Sequence, residues 1–412
     1  MSLGGSYPKP RVLLLLPTAS YRAVDFLEAA GKLGAELTIA SEKRNLLSVQ
    51  NLAGYLTLNF KNLERSVTKV LKFAEKYPIN AAVGVDDATV VAAACLAEQL
   101  SLRGNPLKAV EASRNKFKMR ECLKDAGLLV PDYYLSRIEK KPESTASKVA
   151  YPCVLKPTTL AASQGVIRVN NVDEFLSAWE RVRKIIRAQK AAPEVLVEAY
   201  LPGTEVAVEG LVNEGQLRVL TIFDKPDPLE GPFFEETIYV RPSRLPPDVQ
   251  EKIARQCQQA IQALWLVTGP VHIELRISEK GIWVIELAAR PIGGRCSRSL
   301  RFGLNVSLEE LILRQALGHN IDSVQPDPTP SGVMMIPIPR AGTLKKISGL
   351  EEAQNVPGIE EIIMNAHPGQ RLVPLPEGSA YLGFIFSRAR TTEEVEKSLR
   401  KAHRHLKFEM QP

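Results

Sequence analysis

The segment Val271–Ala288 reads as a β-hairpin whose alternate residues could do chemistry: His272, Glu274 and Arg276 on one strand, Glu286 on the other. With Glu279-Lys280-Gly281 as a three-residue loop, the last position takes the left-handed conformation that glycine tolerates best. Glu274 then lies opposite Glu286, His272 opposite Ala288 and Arg276 opposite Val284, all on one face. Ile273, Leu275, Ile285 and Leu287 pack the other. Facing carboxylates repel unless a cation sits between them. Oxygen-only ligands favour Mg²⁺, or Mn²⁺, over Zn²⁺. A two-residue turn would instead shift the register by one and send Glu286 to the opposite face.

Arg290 and the run Pro291-Ile292-Gly293-Gly294-Arg295 follow directly. A metal, an arginine and a close-approach glycine backbone are what a transferring phosphoryl group needs, because its transition state is stabilised mainly by positioned positive charge. Arg298 and Arg301 read as solvated surface residues, and so do His319, His367, His403 and His405. Upstream, Lys116 lies in Arg114-Asn115-Lys116 on the helix expected to open the second domain, and Lys156 ends the apolar strand Val154–Pro157. A lysine emerging from an apolar strand asks for an anionic partner. The loop Thr158–Val166 could wrap a phosphate with its backbone N–H groups and the Ser163 hydroxyl, although Ala161 and Ala162 stand where glycines are usual. In Glu198–Glu205, a linker between two strands, backbone groups could read a purine edge and Glu205 could accept from ribose hydroxyls. The alternative is a plain strand connector.

The elements around these residues change character along the chain. Up to residue 100, buried runs (Arg11–Pro17, Ala35–Ser41, Ala81–Asp87) alternate with helical patterns (Ser20–Leu33, Leu63–Lys76, Ala88–Leu100), which predicts βαβ units and a parallel sheet. No GxGxxG follows the first strand, so the sheet alone does not point to a dinucleotide. A helix is expected over Ala109–Ala126, then short strands with one helix near 172–188, a helix over Pro247–Leu264 and another near 307–318. Ile321–Pro330 reads as a Pro/Asp-rich linker. Short strands and a basic helix, Thr392–Leu406, close the chain. Met1–Gly5 is set aside as a tag-like or floppy start.

The chain has 412 residues with 53 Lys and Arg against 46 Asp and Glu, a net charge of +7. The length predicts two to four domains. The mild basic excess, with no long basic block, suits anionic small molecules rather than nucleic acid. Five scattered cysteines without metal spacing read as reduced and cytoplasmic. No apolar run is long enough for a signal or membrane segment.

In this order the residues resemble the ATP-grasp superfamily, and within it the carboxylate–amine (amino-acid) ligases. The matches are N-K-x-x-x-R at Asn115–Arg120, the VLKP strand end, E-x-Y-x-x-G-x-E at Glu198–Glu205, H-I-E at His272–Glu274, and V-I-E-x-x-x-R ending at Arg290. The resemblance implies an α/β and α+β chain in three parts. These are a Rossmann-like preATP-grasp domain (1–108), a two-lobed ATP-grasp domain (109–320), and a small C-terminal α+β domain (321–412) like that of the biotin-carboxylase branch. It also implies that Lys116 and Lys156 hold the α- and β-phosphates of ATP, and that the loop at Ser163–Gly165 closes over the β- and γ-phosphates. Adenine would meet Glu198 and the backbone of Tyr200 and Leu201, ribose Glu205, and Mg²⁺ Glu274 and Glu286. Arg290 would steady the transferring group. Arg295, and Arg276 less directly, are the candidates for a substrate carboxylate, with His272 nearby.

The implied reaction activates a small carboxylate, an amino acid, as an acyl phosphate for attack by an amine, releasing ADP and phosphate. Biotin-carboxylase-like or purine-biosynthetic chemistry, and nucleotide binding without catalysis, stay open. So does a homodimer, an arrangement common in this branch. Ala288 stands where the family has a metal-binding Asn, which leaves the number of Mg²⁺ ions open. Ile238 and Tyr239 replace a Gly-His pair on the substrate side.

Overall fold

The computed structural model describes residues 9–412 except 19, 21, 45–53, 61 and 304, so Met1–Gly5 lies outside the described residues. No helix among those described is long and apolar enough to cross a membrane. Strands β1 (Arg11–Leu15), β2 (Glu36–Ser41), β3 (Tyr55–Thr57) and β4 (Ala81–Gly84) form a parallel sheet in the order β3-β2-β1-β4. Alternate residues of β1 serve opposite faces, as strand geometry requires. Val12 and Leu14 pack with Phe26 and Ala30 of the helix Ala23–Lys32. Leu13 and Leu15 pack with Val70 and Leu96 of the helices Leu63–Lys76 and Val90–Gln99. The carboxyl ends of β1 and β4 deliver Pro17, Ser20 and Arg22, and Val85–Asp87, to one rim, the usual ligand side of an open parallel sheet.

The expected helix over Ala109–Ala126 is two helices, Leu107–Arg114 and Lys116–Asp125. Asn115 is extended (φ −110°, ψ 111°), and its side chain accepts from the N–H groups of Phe117 and Lys118. An asparagine N-cap satisfies donors that a helix start leaves orphaned. The break makes Lys116 the first residue of a new helix, with its N–H on the Thr158 carbonyl at 2.9 Å.

Strands β5 (Tyr133–Arg137), β6 (Cys153–Pro157), β7 (Ile167–Val169) and β8 (Glu194–Ala199) form an antiparallel sheet ordered β5-β8-β6-β7. The helix Val172–Gln189 covers it with Phe175, Trp179, Val182 and Ile186, an apolar stripe at helical spacing.

The largest sheet contains β9 (Thr204–Asn213), β10 (Gln216–Asp224), β11 (Ile238–Arg241), β12 (Thr268–Ser278) and β13 (Gly281–Ala288). It continues into β14 (Ser331–Ile336), β16 (Ile359–Met364) and β18 (Gly383–Arg388), in the order β13-β12-β9-β10-β11-β14-β18-β16. Hydrogen bonding therefore runs across the 321–330 segment, with Ile238 paired to Met334. A small sheet of β15 (Gly342–Ser348), β17 (Arg371–Leu372) and β19 (Lys407–Gln411) completes the chain, with the helix Thr392–His405 in the terminal core.

The β12–β13 hairpin departs from the expected turn. Ser278 pairs with Gly281, Ile277 with Ile282 and Arg276 with Trp283, so the turn has two residues and Arg276 does not face Val284. A bulge then absorbs Ile285, because Leu275 pairs with Val284 and Glu274 with Glu286. One extra residue on β13 restores the register that the short turn displaced. Glu274 faces Glu286 and His272 faces Ala288, as expected, for a different physical reason.

Candidate active site

A cavity of about 850 Å³ is walled by the parallel sheet's rim, the β5–β8 sheet, the β12–β13 hairpin and the C-terminal segment. This is the size of a small-molecule site. Lys116, Lys156, Ser163, Glu198, Tyr200, Leu201, Glu205, His272, Glu274, Glu286, Arg290 and Arg295 all line it. Gly165 sits behind the wall. Its N–H donates to the Pro376 carbonyl at 2.9 Å. At φ +73°, a Cβ there would lie 2.7 Å from Pro157, so both backbone and space require glycine.

Lys156 is positioned by a buried carboxylate, and Lys116 by a carbonyl and a half-buried carboxylate. Glu198 Oε1 accepts from Arg120 Nε at 2.5 Å, and Glu198 Oε2 lies 2.5 Å from Lys156 Nζ. Burial alone would raise the Glu198 pKa, but Arg120 and Lys156 outweigh it and hold the carboxyl down to about 2. Two cations share one anion. Burial and the nearby Arg120 charge therefore pull Lys156 below its ordinary value despite Glu198. The cluster holds a net positive charge away from water, a state that an anionic ligand relieves. Lys116 donates to the Leu160 carbonyl at 2.7 Å and lies 3.3 Å from Glu286.

A second knot holds the linker. Glu205 pairs with Lys225 (2.8 Å) and Arg276 (2.9 Å), and Arg276 also donates to the carbonyls of Leu201 and Leu229. Arg276 lines the cavity with these bonds already made, so a substrate carboxylate would have to compete with Glu205 for it. The Tyr200 N–H donates to the Pro152 carbonyl at 3.0 Å, so that donor is not open to a purine, and the ring packs under Arg168 at 3.9 Å. Gly203 (φ +131°) makes the close passage possible, since a Cβ would come 2.2 Å from the Ile277 carbonyl oxygen.

Lys225 also pairs with Glu236 (2.5 Å) and Glu274 (3.3 Å). Oxygens of Glu205, Glu236 and Glu274 lie within 4.8 Å of one another, a grouping able to hold a cation. Burial opposes the Lys225 charge, but the three carboxylates keep it well above its usual range. Burial pushes the Glu236 carboxyl up to about 7 against the pull of Lys225. Glu274 is held well below its ordinary value, because Lys225 and His272 overcome burial. His272 Nδ1 lies 3.0 Å from the fully buried Glu209, which also accepts from the Ile292 N–H at 2.8 Å. Burial would strip the His272 proton, but bonds to Glu209 and Glu274 prevail and hold it at about 9.

Arg290 Nε donates to Asp87 at 2.9 Å, tying the hairpin to the rim of the parallel sheet. Burial would raise Asp87, but Arg290 keeps it below its ordinary value. The loop after Lys156 is fastened to the C-terminal segment. Gln164 donates to the Glu377 carbonyl at 2.6 Å, and Arg181 grips the Glu377 carboxylate at 2.5 and 2.8 Å. If the loop covers a nucleotide, as the sequence resemblance implies, Glu377→Ala should raise the KM for ATP by no more than roughly two- to fivefold with kcat nearly unchanged, since the ion pair is half exposed. Initial-rate kinetics at varied ATP would check it.

Sequence reasoning missed several of these partners. Arg120 was legible, since it lies one helical turn from Lys116 on the same face. Asp87 was signalled by its place at a parallel strand's carboxyl end. Glu209 and Lys225 gave no local signal, because only the strand pairing brings them to the hairpin. Arg298 is not simply solvated but bridges Asp25 (2.8 Å) and Glu361 (3.1 Å).

The ATP-grasp domain family matches residues 149–299, and the L-amino acid ligase C-terminal domain 2 family matches residues 334–411. Alanine–anticapsin ligase of Bacillus subtilis is 27% identical over 273 residues, 61% of this chain and 56% of that protein. The match thus spans just over half of that relative. The L-arginine-specific L-amino acid ligase of Bacillus subtilis is 22% identical over 349 residues, 84% of each chain. The crystal structure of L-amino acid ligase from Bacillus licheniformis superposes with a TM-score of 0.80 at 26% identity, covering 98% of this chain and 100% of that one.

Proposed function

We propose that this chain, which carries an ATP-grasp domain and an L-amino acid ligase C-terminal domain, is an ADP-forming carboxylate–amine ligase acting on amino acids. The observation that carries this reading is the convergence of Lys116, Lys156, Glu274, Glu286 and Arg290 on one cavity. We divide the chain into a preATP-grasp domain (1–108), an ATP-grasp domain (109–320) and a C-terminal domain (321–412), with ATP held between the two lobes of the second.

Lys116 and Lys156 bind phosphate oxygens, and Glu198 acts by fixing Lys156 rather than by touching adenine. The loop through Ser163 covers the phosphates. Leu201 supplies the linker's contact to the purine edge, and Glu205 faces ribose. Glu274 and Glu286 are oxygen donors facing across the hairpin, each held by a lysine, and this donor set fits Mg²⁺. A bound Mg²⁺ neutralises charge on the phosphates.

The carboxylate oxygen attacks the γ-phosphorus, the bond to ADP breaks, and an acyl phosphate forms beside Arg290. The amine nitrogen then attacks the acyl carbon and phosphate leaves, giving the amide. Excluding water is part of the task, since acyl phosphates hydrolyse readily. His272 and Arg295 face the substrate end. Met335, Met364, Leu372 and Phe384 give the C-terminal end of the cavity an apolar wall, with Asn365, Gln370 and Ser379 beside it, which suits an amino acid with an apolar side chain. A phosphate-release screen over pairs of amino acids tests the reading: release should require both partners. Turnover with bicarbonate and no amino acid would contradict it.

A further inference from the structure

The rim of the parallel sheet brings a cation to the cavity that the ATP-directed residues do not use. Arg22 precedes the ten-residue helix Ala23–Lys32 and is only 5% exposed. Its Nη2 donates to the Ile292 carbonyl, within the run that follows Arg290. Its Nη1 is buried and has no hydrogen-bond partner among the described residues. A buried guanidinium nitrogen without a partner is costly, and native proteins seldom tolerate one unless a ligand or water completes it.

Three further features agree. Ser20 Oγ accepts from the Arg22 N–H at 3.2 Å, but among the described residues no side chain caps the N–H groups of the first helical turn, which keep their partial positive charge. Pro17, Ser20 and Arg22 line the cavity together with Gly293 and Gly294. A Cβ at Gly293 would meet nothing within 4 Å, so the backbone there leaves open space.

We propose that Arg22 and the first turn of this helix form a subsite for the α-carboxylate of the amine substrate, an amino acid. The identity of the anion rests on the ligase reading above. Of the two carboxylates such a reaction handles, one must attack phosphorus, and a tight guanidinium pairing would lower its nucleophilicity. The carboxylate of the attacking amino acid is a spectator. Charge-assisted pairing can hold it without cost to the chemistry and so orient the amino group.

The test is calorimetric titration of the full chain, loaded with Mg²⁺ and a non-hydrolysable ATP analogue. The ligands are the L-amino acids and their α-amides, with wild type, Arg22→Gln and Arg22→Lys compared. At least one amino acid should bind about tenfold or more tightly than its amide, as a hydrogen bond to a charged group implies. Arg22→Gln should abolish that preference and Arg22→Lys should restore part of it. Arg22→Lys keeps the charge and a donor to Ile292, and it carries the test if the glutamine variant does not fold. Preference that survives unchanged in both variants, or no amino acid favoured over its amide, overturns the subsite. Preference for inorganic phosphate over every amino acid at this site also overturns it. Failure of the ligase reading looks different: Arg22-dependent binding would persist, with no ADP formed when ATP replaces the analogue.

Discussion

Replacing Arg290 by glutamine is expected to cut kcat by about 10²–10³-fold, the usual cost of removing one positioned charge from a developing transition state. Nucleotide affinity should change by less than about threefold if Lys116 and Lys156 are the main phosphate ligands, as proposed above. The substitution also has a structural cost. Asp87 is kept ionised chiefly by Arg290, with help from Lys116 and Arg114, and leaving it without its partner in this half-buried site costs about 1–3 kcal/mol. Combining Asp87→Asn with Arg290→Gln should recover most of that stability and none of the turnover. Urea denaturation, ATP-analogue calorimetry and steady-state rates on the three variants separate the two effects. A parallel loss of binding and turnover in the double variant would make Arg290 a structural residue.

The second large effect concerns Glu198, which is 2% exposed and compensates two buried cations. Glu198→Ala removes that compensation and should destabilise the fold by about 3–5 kcal/mol while raising the KM for ATP. The pH dependence has a definite sign. The Glu198 carboxyl falls from 4.5 to about 2 on folding. Its stabilisation is therefore fully present above pH 4.5 and is lost as the pH falls from there through about 2. Glu198→Gln should flatten that acid limb in denaturation curves. An unchanged acid limb would mean that Arg120 and Lys156 do not depend on this carboxylate.

That these residues share one cavity was legible because the motifs keep a fixed order along the chain, and because alternation in a strand assigns faces. Lys156 ending an apolar run and Glu274 facing Glu286 are of that kind. The hairpin shows where such reasoning is fragile. The two-residue turn at Glu279-Lys280 would have moved Glu286 to the wrong face, and only the bulge at Ile285 returns it. Nothing local in the sequence marks that bulge. The split at Asn115 was masked because Arg114-Asn115-Lys116 interrupts no apolar period, although asparagine is a strong N-cap. Glu209, Lys225 and Arg22 act through partners far away in the chain, His272, Glu274 and Ile292 among them, so their roles appear only once the sheets are assembled. The family-level architecture was visible in the motif order. The continuation of the large sheet through β14, β18 and β16 was not, because a Pro/Asp-rich segment of linker composition lies between β13 and β14.

On the proposed reading, a carboxylate is activated by phosphoryl transfer in this cavity. Isotope transfer tests it most directly. With an amino-acid pair that supports turnover, the carboxylate substrate is supplied with ¹⁸O in both carboxylate oxygens, and the released phosphate is analysed by mass spectrometry. ADP is expected as the nucleotide product, with one ¹⁸O atom in each phosphate released. Unlabelled phosphate, or AMP carrying the label together with pyrophosphate, would contradict it.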